Sequence, residues 1–255
     1  MHIDRRIPFL DLHFDAANMD AALVWLRRSS IGEAFRYVVT PNVDHVVRLH
    51  SQGAQRPPLR EAYLSADLCL CDSRVLSRLA RWCGIGLPTV TGSDLTDQLL
   101  HRVVEAGDRI VIVGGDTALR QSLVAEFPQV EWIQHQPPMG LSSNPAAIEA
   151  AAAFVEAQRA RFSFIAVGSP QQELIALRIK ERGDSRGTAL CIGAALQFVV
   201  KQERRAPAFV RRIGFEWAYR LAVQPRRMWR RYLVDGPKIF LIAWRWRKAA
   251  TSVPR

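Results

Sequence analysis

The sequence predicts an α/β protein built on a doubly wound, mostly parallel sheet, and two features of the pattern support this. Apolar runs of strand length recur along the first 200 residues, and a helical pattern follows most of them. Strands and helices alternate about six times in this way, and polar or glycine-containing turns follow the strands. Such alternation is typical of a Rossmann-like sheet, in which ligands bind at the carboxyl ends of the strands.

The individual elements follow from local patterns. The predicted strands are short apolar runs, and in chain order they cover residues 7–14, 35–40, 66–71, 109–113, 131–135, 162–167 and 188–192. The clearest predicted helices have apolar residues at helical spacing, and they cover residues 18–28, 43–50, 94–105 and 144–159. We expect Ser93 to cap the third of these helices. There is no internal repeat and no low-complexity segment.

The stretch 162–177 combines a buried strand, a sharp loop and a helix start. Gly168 ends the strand, and Ser169 and Pro170 suit the N-cap and the first helical position. Gln172 stands three residues after Ser169, as in a capping box. Free amides at such a turn can bind phosphate, although any α/β domain contains several turns of this kind. Both a ligand-binding and a purely structural role are therefore open for this turn.

Other strands also end in polar turns. Thr40 and Asn42 follow the second predicted strand, where helix capping is the alternative to a role in the site. Asp72 ends the third predicted strand, where partial burial would raise its pKa and suit a general base. A capping Asp for a helix starting at Val75 is the competing interpretation. Gly114, which opens a Gly-Gly-Asp-Thr turn, suggests a phosphate-sized opening, but the turn matches neither a Walker A loop nor GxGxxG.

The net positive charge of the chain is confined to its last 55 residues. The chain carries a formal charge of +11, of which residues 201–255 hold +12 (15 Lys and Arg against 3 Asp and Glu) and residues 1–200 hold −1. We therefore predict a catalytic domain over residues 1–200 and a basic appendage over residues 201–255. The appendage should meet an anion such as nucleic acid, anionic lipid or a phosphorylated substrate. Within it, residues 237–248 fit a helix lying at a membrane interface.

The cysteines and the hydropathy pattern indicate the compartment in which the protein works. Four cysteines form no CxxC pair and have no histidine at zinc spacing, which argues against a metal site or disulfides and favours reduced, mostly buried thiols. No segment has the roughly 18 consecutive apolar residues that a membrane span requires. We expect a cytoplasmic protein that at most lies on a membrane surface, with no cofactor.

Five short blocks in one order resemble a known family. They are Thr40-Pro41-Asn42, Ala66-Asp67 through Asp72, Gly168-x-Pro170-x-Gln172-Glu173, Arg205-Ala206-Pro207, and the run from Glu216-Trp217-x-Tyr219-Arg220 through Pro225-x-Arg227 to Arg230-Arg231-Tyr232. The sequence resembles the WecG/TagA/CpsF glycosyltransferases (family GT26), which build bacterial surface polymers. The resemblance covers most of the chain, and the last block is the most specific.

The resemblance implies an inverting, metal-independent hexosyltransferase. It would move a sugar from a UDP-sugar donor onto a polyprenyl-diphosphate-linked sugar acceptor at the inner face of the cytoplasmic membrane. The protein would then be a peripheral protein that meets an anionic membrane surface. The family also implies homo-oligomers that switch to an active monomer.

The resemblance also implies where the active site lies. Asp72 would be the general base, and Thr40, Asn42 and Gln172 would line the site. With Gly114 from the turn described above, the expected substrate-binding positions are Gly114, Gly168, Pro170, Glu173, Arg220, Arg227 and Arg230. The three arginines would close over the pocket and bind the diphosphate. No DxD sequence offers a clamp for Mg²⁺ or Mn²⁺.

The sequence departs from the family pattern at several positions. Ser73 follows the proposed base where glycine is usual, Gln197 replaces a frequent acidic residue, and Gln171 replaces a usual lysine. The loop 135–140 also differs from the usual Gly-His-Gly-Tyr type. Because of these changes, the resemblance does not identify the donor sugar. They also raise the alternative of a catalytically inactive scaffold of the same fold. A nucleic-acid-binding module is a further alternative, but the apolar run 239–243 suits lipid better, and we expect no nucleic-acid partner.

Overall fold

The computed structural model describes residues 6–29, 34–51, 56–141, 144–202, 206–207, 209–210 and 215–251. A six-stranded parallel sheet lies at its centre, in the order β4-β3-β8-β7-β5-β6. Its strands are β3 (Arg36–Val39), β4 (Leu68–Cys69), β5 (Arg109–Gly114), β6 (Glu131–His135), β7 (Phe162–Ala166) and β8 (Thr188–Cys191). The predicted fold class is thereby confirmed.

Helices cover both faces of this sheet, and the strands read as continuous apolar runs because neither face meets water. One face carries α2 (Val43–Ser51), α3 (Arg56–Leu64), α4 (Arg74–Trp82), α7 (Pro145–Gln158) and α8 (Gln171–Arg182). The other face carries α1 (Met19–Ser29), α5 (Gly92–Arg102), α6 (Thr117–Glu126) and α9 (Ala195–Val199). Two separate hydrophobic cores result, one on each side of the sheet.

The strand order creates a switch point between β3 and β8. These strands are neighbours, yet α2 follows β3 on one face and α9 follows β8 on the opposite face. In open α/β sheets the crevice beyond the carboxyl ends of such strands is the usual ligand site. Here β4 lies next to β3, so the turns after β3 and β4 meet at this edge.

The first predicted strand is wrong, because residues 7–14 form a hairpin rather than one strand. β1 (Arg6–Phe9) pairs antiparallel with β2 (Leu12–Asp15) in a sheet of its own. Leu10 and Asp11 adopt left-handed backbone angles with φ of 52° and 61°, which is the geometry of a tight hairpin turn. Leu rarely adopts this conformation, and a Leu-Asp pair without glycine is not a recognisable signal for a two-residue hairpin turn.

Two predicted helix caps are also wrong. Thr91 rather than Ser93 caps α5, accepting from the Asp94 amide at 3.1 Å while it donates to the Asp94 carboxylate. At the start of α8 no side chain caps the helix, which begins at Gln171 rather than Pro170. Ser169 is engaged elsewhere, since its carbonyl accepts from the Arg48 guanidinium and its hydroxyl lies 3.5 Å from that of Tyr63.

The appendage packs through its last helix on the preceding part of the chain, residues 1–200, which is called the body below. Its described elements are α10 (Glu216–Val223), α11 (Pro225–Trp229), a π-helical segment (Arg230–Asp235) and α12 (Lys238–Thr251). Ile239 and Ala243 of α12 join the same core as α2, and the Trp246 ring meets Phe9 edge-on at 5.3 Å. No helix within the described ranges is long and apolar enough to cross a membrane.

Exposure of the aromatic residues in the appendage departs from expectation. Helical patterning predicts that Phe209, Phe215 and Tyr219 are core residues, but Phe209 and Phe215 are 71% and 50% exposed and Tyr219 is half-buried. The Phe215 ring stacks on Trp217 at 6.2 Å instead of entering the body of the protein. Free, buried thiols are confirmed for Cys69, Cys71 and Cys191, while Cys83 is partly exposed.

Candidate active site at the carboxyl edge of the sheet

Asp72 lies at the carboxyl edge directly after β4, on a backbone that is fixed from two sides. Its amide donates to the Pro41 carbonyl at 3.1 Å, which ties it to the turn after β3. The preceding Cys71 forms a parallel bridge with Thr89, and its carbonyl accepts from Val90 at 3.0 Å. The position of the Asp72 side chain is therefore set by neighbouring main chain on both sides.

Ser73, not Asp72, caps the following helix. The Ser73 hydroxyl accepts from the Leu76 amide at 3.2 Å, and α4 begins at the next residue. The interpretation of Asp72 as a helix cap is therefore wrong, and its carboxylate is available for other interactions. Ser73 has φ of −161°, an extended conformation open to any residue, so the glycine usual at this position is not required here.

The environment of Asp72 favours the protonated carboxyl more than water does. Burial, followed by the nearby Glu216 carboxylate, raises its pKa from 3.8 to about 7, while Arg220 and the Gly92 backbone amide, which donates to the carboxylate, act in the opposite direction. A carboxyl with a pKa near 7 is about half ionised at neutral pH and can both take up and release a proton. Asp72 is thus suited to general base catalysis.

Thr40 lies beneath this arrangement rather than in the open cleft. Its side chain is 6% exposed, and a Cβ placed on Gly92 would stand only 2.7 Å from its hydroxyl oxygen. Thr40 and Gly92 therefore fit together only because residue 92 has no side chain. Since the Gly92 amide donates to Asp72, Thr40 supports the base through Gly92.

Asn42 lines the cleft and also caps α2. Its side-chain oxygen accepts from the Asp44 amide at 3.0 Å and, more weakly, from the His45 amide at 3.4 Å. The His45 ring nitrogen in turn lies 3.3 Å from the Asn42 amide, which completes a reciprocal cap. Capping was the alternative interpretation of Asn42, and the structure shows both features at once.

Gln172 and Glu173 are buried under the loop that follows β7. They are 2% and 1% exposed, and the Gln172 amide nitrogen donates to the Glu173 carboxylate at 2.8 Å. The Gln172 side-chain oxygen accepts from the Gly193 amide at 2.9 Å, which joins this loop to the turn after β8. The other Glu173 oxygen has no hydrogen-bond partner within the described chain. Both residues lie outside the lining of the cleft described below.

The glycine turns differ in what they offer. Gly114 has φ of 102°, and a Cβ there would stand 2.8 Å from Val167, so glycine permits close approach of β5 and β7. The Asp116 carboxylate accepts a hydrogen bond from the Leu119 amide at 2.8 Å and so caps the N-terminus of α6. A negative charge therefore already occupies the place where a phosphate would bind. Gly168 has φ of 81° with open space around it, and Pro170 is buried.

A cleft of about 740 Å³ opens between the body and the appendage. The body lines it with residues that follow β3 and β4 and with the start of α5, including Asn42, Asp72 and Asp94. The appendage lines it with Glu216, Trp217 and Arg220 of α10 and with residues between Arg231 and Phe240, among them Tyr232. The appendage thus forms a wall of the cleft in which Asp72 lies.

Arg220 links the two sides of the cleft. Its guanidinium donates to Glu216 one helical turn earlier at 2.7 Å and lies 5.2 Å from the ring centre of Phe198, a residue of α9 in the body. Burial works to lower the pKa of Arg220, but Glu216, Tyr232 and Asp72 outweigh it and the net change is upward. The guanidinium therefore remains cationic at the position where it faces the candidate base.

Among the arginines of the appendage, the structure brings Arg231 rather than Arg230 to the cleft. Arg231 pairs with Asp44 of α2 at 3.3 Å, whereas the Arg230 side chain is 77% exposed and lies 3.9 Å from Asp235. Arg227 belongs to α11, but its side chain lies outside the part of the chain that the structure describes, as does Arg205. Sequence reasoning also missed Glu216, Trp217 and Asp94 as cleft residues, although the first two stood in a motif that it had noted.

Within the described residues, no group of three or more His, Cys, Asp or Glu side chains converges as a metal site would require. The acidic residues of the cleft are engaged individually, Asp44 by arginines, Glu216 by Arg220 and Asp94 by Thr91. The charged groups that line the cleft are therefore carboxylates and guanidiniums.

A carboxylate that exchanges a proton near neutral pH and faces guanidiniums is suited to moving a group whose leaving fragment is an anion. Together with its place at the carboxyl edge of a parallel sheet, this arrangement fits a group-transfer enzyme of the α/β class. The Glycosyl transferase WecG/TagA/CpsF family matches residues 7–252, nearly the whole chain. The protein belongs to this family, and it is accordingly a glycosyltransferase with a role in surface polysaccharide synthesis.

The position of Glu216 leads to a prediction about pH dependence. Because the Glu216 carboxylate raises the pKa of Asp72, the Glu216→Gln variant should carry a more acidic Asp72. If the ionised Asp72 is the active form, the acid limb of a kcat/KM profile for sugar transfer should move to lower pH. The profile should be measured from about pH 5 to 9.

Asp235→Asn provides the control for this prediction. It removes a carboxylate of the same appendage that pairs with Lys238 and Arg230 and does not line the cleft. Its acid limb should coincide with that of the wild type. An acid limb that stays in place in Glu216→Gln, or moves to higher pH, would show that Asp72 is not the group that titrates.

Proposed function

We propose that the protein is an inverting, metal-independent hexosyltransferase of the GT26 type. It transfers a hexose-type sugar from a UDP-sugar to a sugar carried on polyprenyl diphosphate. The observation that carries this proposal is the state of Asp72, a carboxylate that is not used as a helix cap, has a pKa of about 7 and lies in a cleft with Arg220.

The proposed reaction is a single displacement at the anomeric carbon of the donor. The Asp72 carboxylate takes the proton of the attacking acceptor hydroxyl, whose oxygen forms the new bond to the anomeric carbon. The bond from that carbon to the β-phosphate oxygen breaks, and UDP leaves with its electron pair. Arg220 and Arg231 lie in the same cleft and would stabilise the negative charge that develops on the diphosphate.

The other residues of the proposed site act mainly by holding these groups in place. Thr40 supports the Gly92 amide that donates to Asp72. Asn42 lines the cleft at the start of α2, where its amide group can reach a substrate hydroxyl while its oxygen caps the helix. Gln172, fixed between Gly193 and Glu173, keeps the loop with Gly168 and Pro170 in register with the turn after β8. Gly114, Arg227 and Arg230 remain predicted substrate-binding positions.

The rings of Trp217 and Tyr232 support binding of a sugar or a nucleobase. Both line the cleft, with their centres 6.2 Å apart and their planes tilted by 59°. Aromatic faces of this kind contact the apolar surfaces of such ligands, while the guanidinium groups beside them bind the charged part. The donor sugar itself stays open, since no residue of the cleft identifies it.

The outer side of the appendage supports an acceptor held at an anionic membrane surface. Leu241 and Trp244 of α12 are 49% and 51% exposed, and Leu233 in the preceding segment is 56% exposed. Lys248 lies on the same helix as Leu241 and Trp244, and the appendage holds all of the net positive charge of the chain. Apolar side chains flanked by cations are typical of helices that lie in the plane of a membrane interface.

This membrane proposal makes a testable prediction. The Leu241→Glu/Trp244→Glu variant should bind vesicles containing anionic lipid at least tenfold more weakly in a flotation assay, since burial of each apolar side chain contributes about 1.5 to 3 kcal/mol. Val24→Glu/Val124→Glu is a matched control, because it adds the same two charges at valines that are 47% and 42% exposed but belong to α1 and α6 in the body. Equal vesicle binding by Leu241→Glu/Trp244→Glu and the control would overturn the proposal.

The activity is tested by measuring UDP release from a panel of UDP-hexoses with an alkyl- or polyprenyl-diphosphate-linked sugar as acceptor. We expect release with one donor, dependent on the acceptor and unaffected by EDTA. Release that stops with EDTA and returns with Mg²⁺ or Mn²⁺ would contradict the metal-independent mechanism. Absence of release with every donor and acceptor would favour an inactive scaffold of the same fold.

A further inference from the structure

The carboxylate of Asp44 lies between two arginines that come from different parts of the fold. Arg48, one turn further along α2, donates to the Asp44 oxygen Oδ2 at 2.9 Å. Arg231, in the π-helical segment of the appendage, lies 3.3 Å from the same oxygen. The Asp44 side chain is only 17% exposed, so this group of three charges is partly shielded from water.

The contacts of Arg48 extend this group to a third element. Its second terminal nitrogen donates to the Ser169 carbonyl, in the loop between β7 and α8. The appendage, the first turn of α2 and the Gly168–Pro170 loop are thus connected through one carboxylate. Each of the three elements carries a residue that is proposed or expected to contact the substrate: Arg231 in the appendage, Asn42 at the start of α2, and Gly168 in the loop.

The Asp44–Arg231 pair differs from two other ion-pair groups among the described residues of the appendage. Glu216 with Arg220, and Asp235 with Lys238 and Arg230, join residues within the appendage itself. Arg231 instead reaches a carboxylate of the body, and it does so beside the ring contacts of Trp246 with Phe9 and of Arg220 with Phe198. The buried Nε of Arg231 has no hydrogen-bond partner within the described chain, and the guanidinium lies over the Tyr232 ring at 5.9 Å, so Asp44 is the charged partner that the described residues give it.

We propose that Asp44 is a positioning residue that docks the appendage on α2 through Arg231 and, through Arg48, couples that docking to the Gly168–Pro170 loop. The ion pair fixes which side of the π-helical segment faces the cleft, and it thereby sets Arg231 at the cleft rim. Asp44 itself does not act on the substrate. Its effect on transfer rests on the proposed function, whereas its effect on docking does not.

The docking role is tested by hydrogen–deuterium exchange on the full chain without substrate. The variants are Asp44→Asn, Arg231→Gln and the double variant, because a shared interaction makes the two effects non-additive. We expect each single variant to speed exchange of the amides in residues 228–248 by roughly tenfold, the usual size of one charge-assisted contact, and the double variant to be no faster than the faster single variant. Asp44→Asn should also speed exchange in residues 168–172.

Asp235→Asn is the matched control, since it breaks ion pairs that stay within the appendage and should leave exchange in residues 168–172 unchanged. Additive effects in the double variant, or unchanged exchange in Asp44→Asn, would overturn the proposal. An Asp44→Glu variant that restores protection in residues 228–248 would support the ion pair specifically. The exchange result stands even if no transferase activity is found. Because Asp44 also lines the cleft, the effect on transfer is tested by the pair: a roughly tenfold loss of kcat/KM in Asp44→Asn and in Arg231→Gln that does not grow in the double variant requires both proposals to hold.

Discussion

We expect the Asp72→Asn variant to lose sugar transfer by roughly 10² to 10⁴-fold in kcat, the usual contribution of a general base. Asparagine has nearly the shape of aspartate and can still accept from the Gly92 amide, but it cannot take a proton from the acceptor hydroxyl. Binding of the donor should change little, because the cationic groups of the cleft remain. Steady-state transfer at pH 8, where Asp72 of the wild type is ionised, is the appropriate measurement.

The thermal stability of the same variant distinguishes lost chemistry from lost folding. The folded Asp72 has a pKa of about 7 against an ordinary value of 3.8, so the folded protein keeps a proton that the unfolded chain releases between these values. Stability from this group therefore falls as the pH rises through this window. Asp72→Asn should melt at a higher temperature than the wild type at pH 8, with a smaller gain at pH 5. If the Asp72→Asn variant transfers sugar with a kcat within tenfold of the wild-type value, Asp72 is not the base.

We expect the Arg220→Gln variant to lose roughly 10- to 100-fold in kcat/KM, which corresponds to about 1.5 to 3 kcal/mol for a charge-assisted contact. Two effects of the change add together. The diphosphate loses a cation in the cleft, and Asp72 loses a positive charge that lowers its pKa. The acid limb of the pH profile should therefore move to higher pH, opposite to the change in Glu216→Gln.

Two further variants separate these effects. Arg220→Lys keeps the charge but loses the planar fork, so it should restore the acid limb more fully than it restores kcat/KM. Arg226→Gln removes an exposed arginine of α11 that does not line the cleft, and it should transfer at the wild-type rate with a short-chain acceptor. Equal losses in Arg226→Gln and Arg220→Gln would show that only the total charge of the appendage matters.

Much of the sheet could be predicted from the sequence because burial on both faces imposes an unmistakable pattern. The run Arg109–Val113 and the strand Phe162–Ala166 are continuous apolar segments, and both form strands where expected. The hairpin turn at Leu10 and Asp11 could not be found in this way. It depends on a left-handed backbone angle at Leu10, a residue that rarely adopts one, and Leu10 is part of a buried hydrophobic core.

The candidate site was predictable where it depends on sequence order and not where it depends on packing. Asp72 and Asn42 follow strands, and parallel strands bring their carboxyl ends to one edge. Whether Arg230 or Arg231 faces the cleft depends on the π-helical segment 230–235, in which the angle between successive residues differs from the α-helical value. An α-helical reading of this segment therefore cannot assign the inward side. The burial of Gln172 likewise follows from the contact with Gly193, which lies far along the chain.

The anomeric configuration of the product, determined by NMR from a donor of known configuration, is the most direct test of the central claim. One base that activates the acceptor hydroxyl in this cleft gives a single displacement, so the account predicts inversion in the wild type. Retention of the donor configuration would contradict it, because retention requires a second displacement or a different route in which Asp72 is not simply the base for the acceptor.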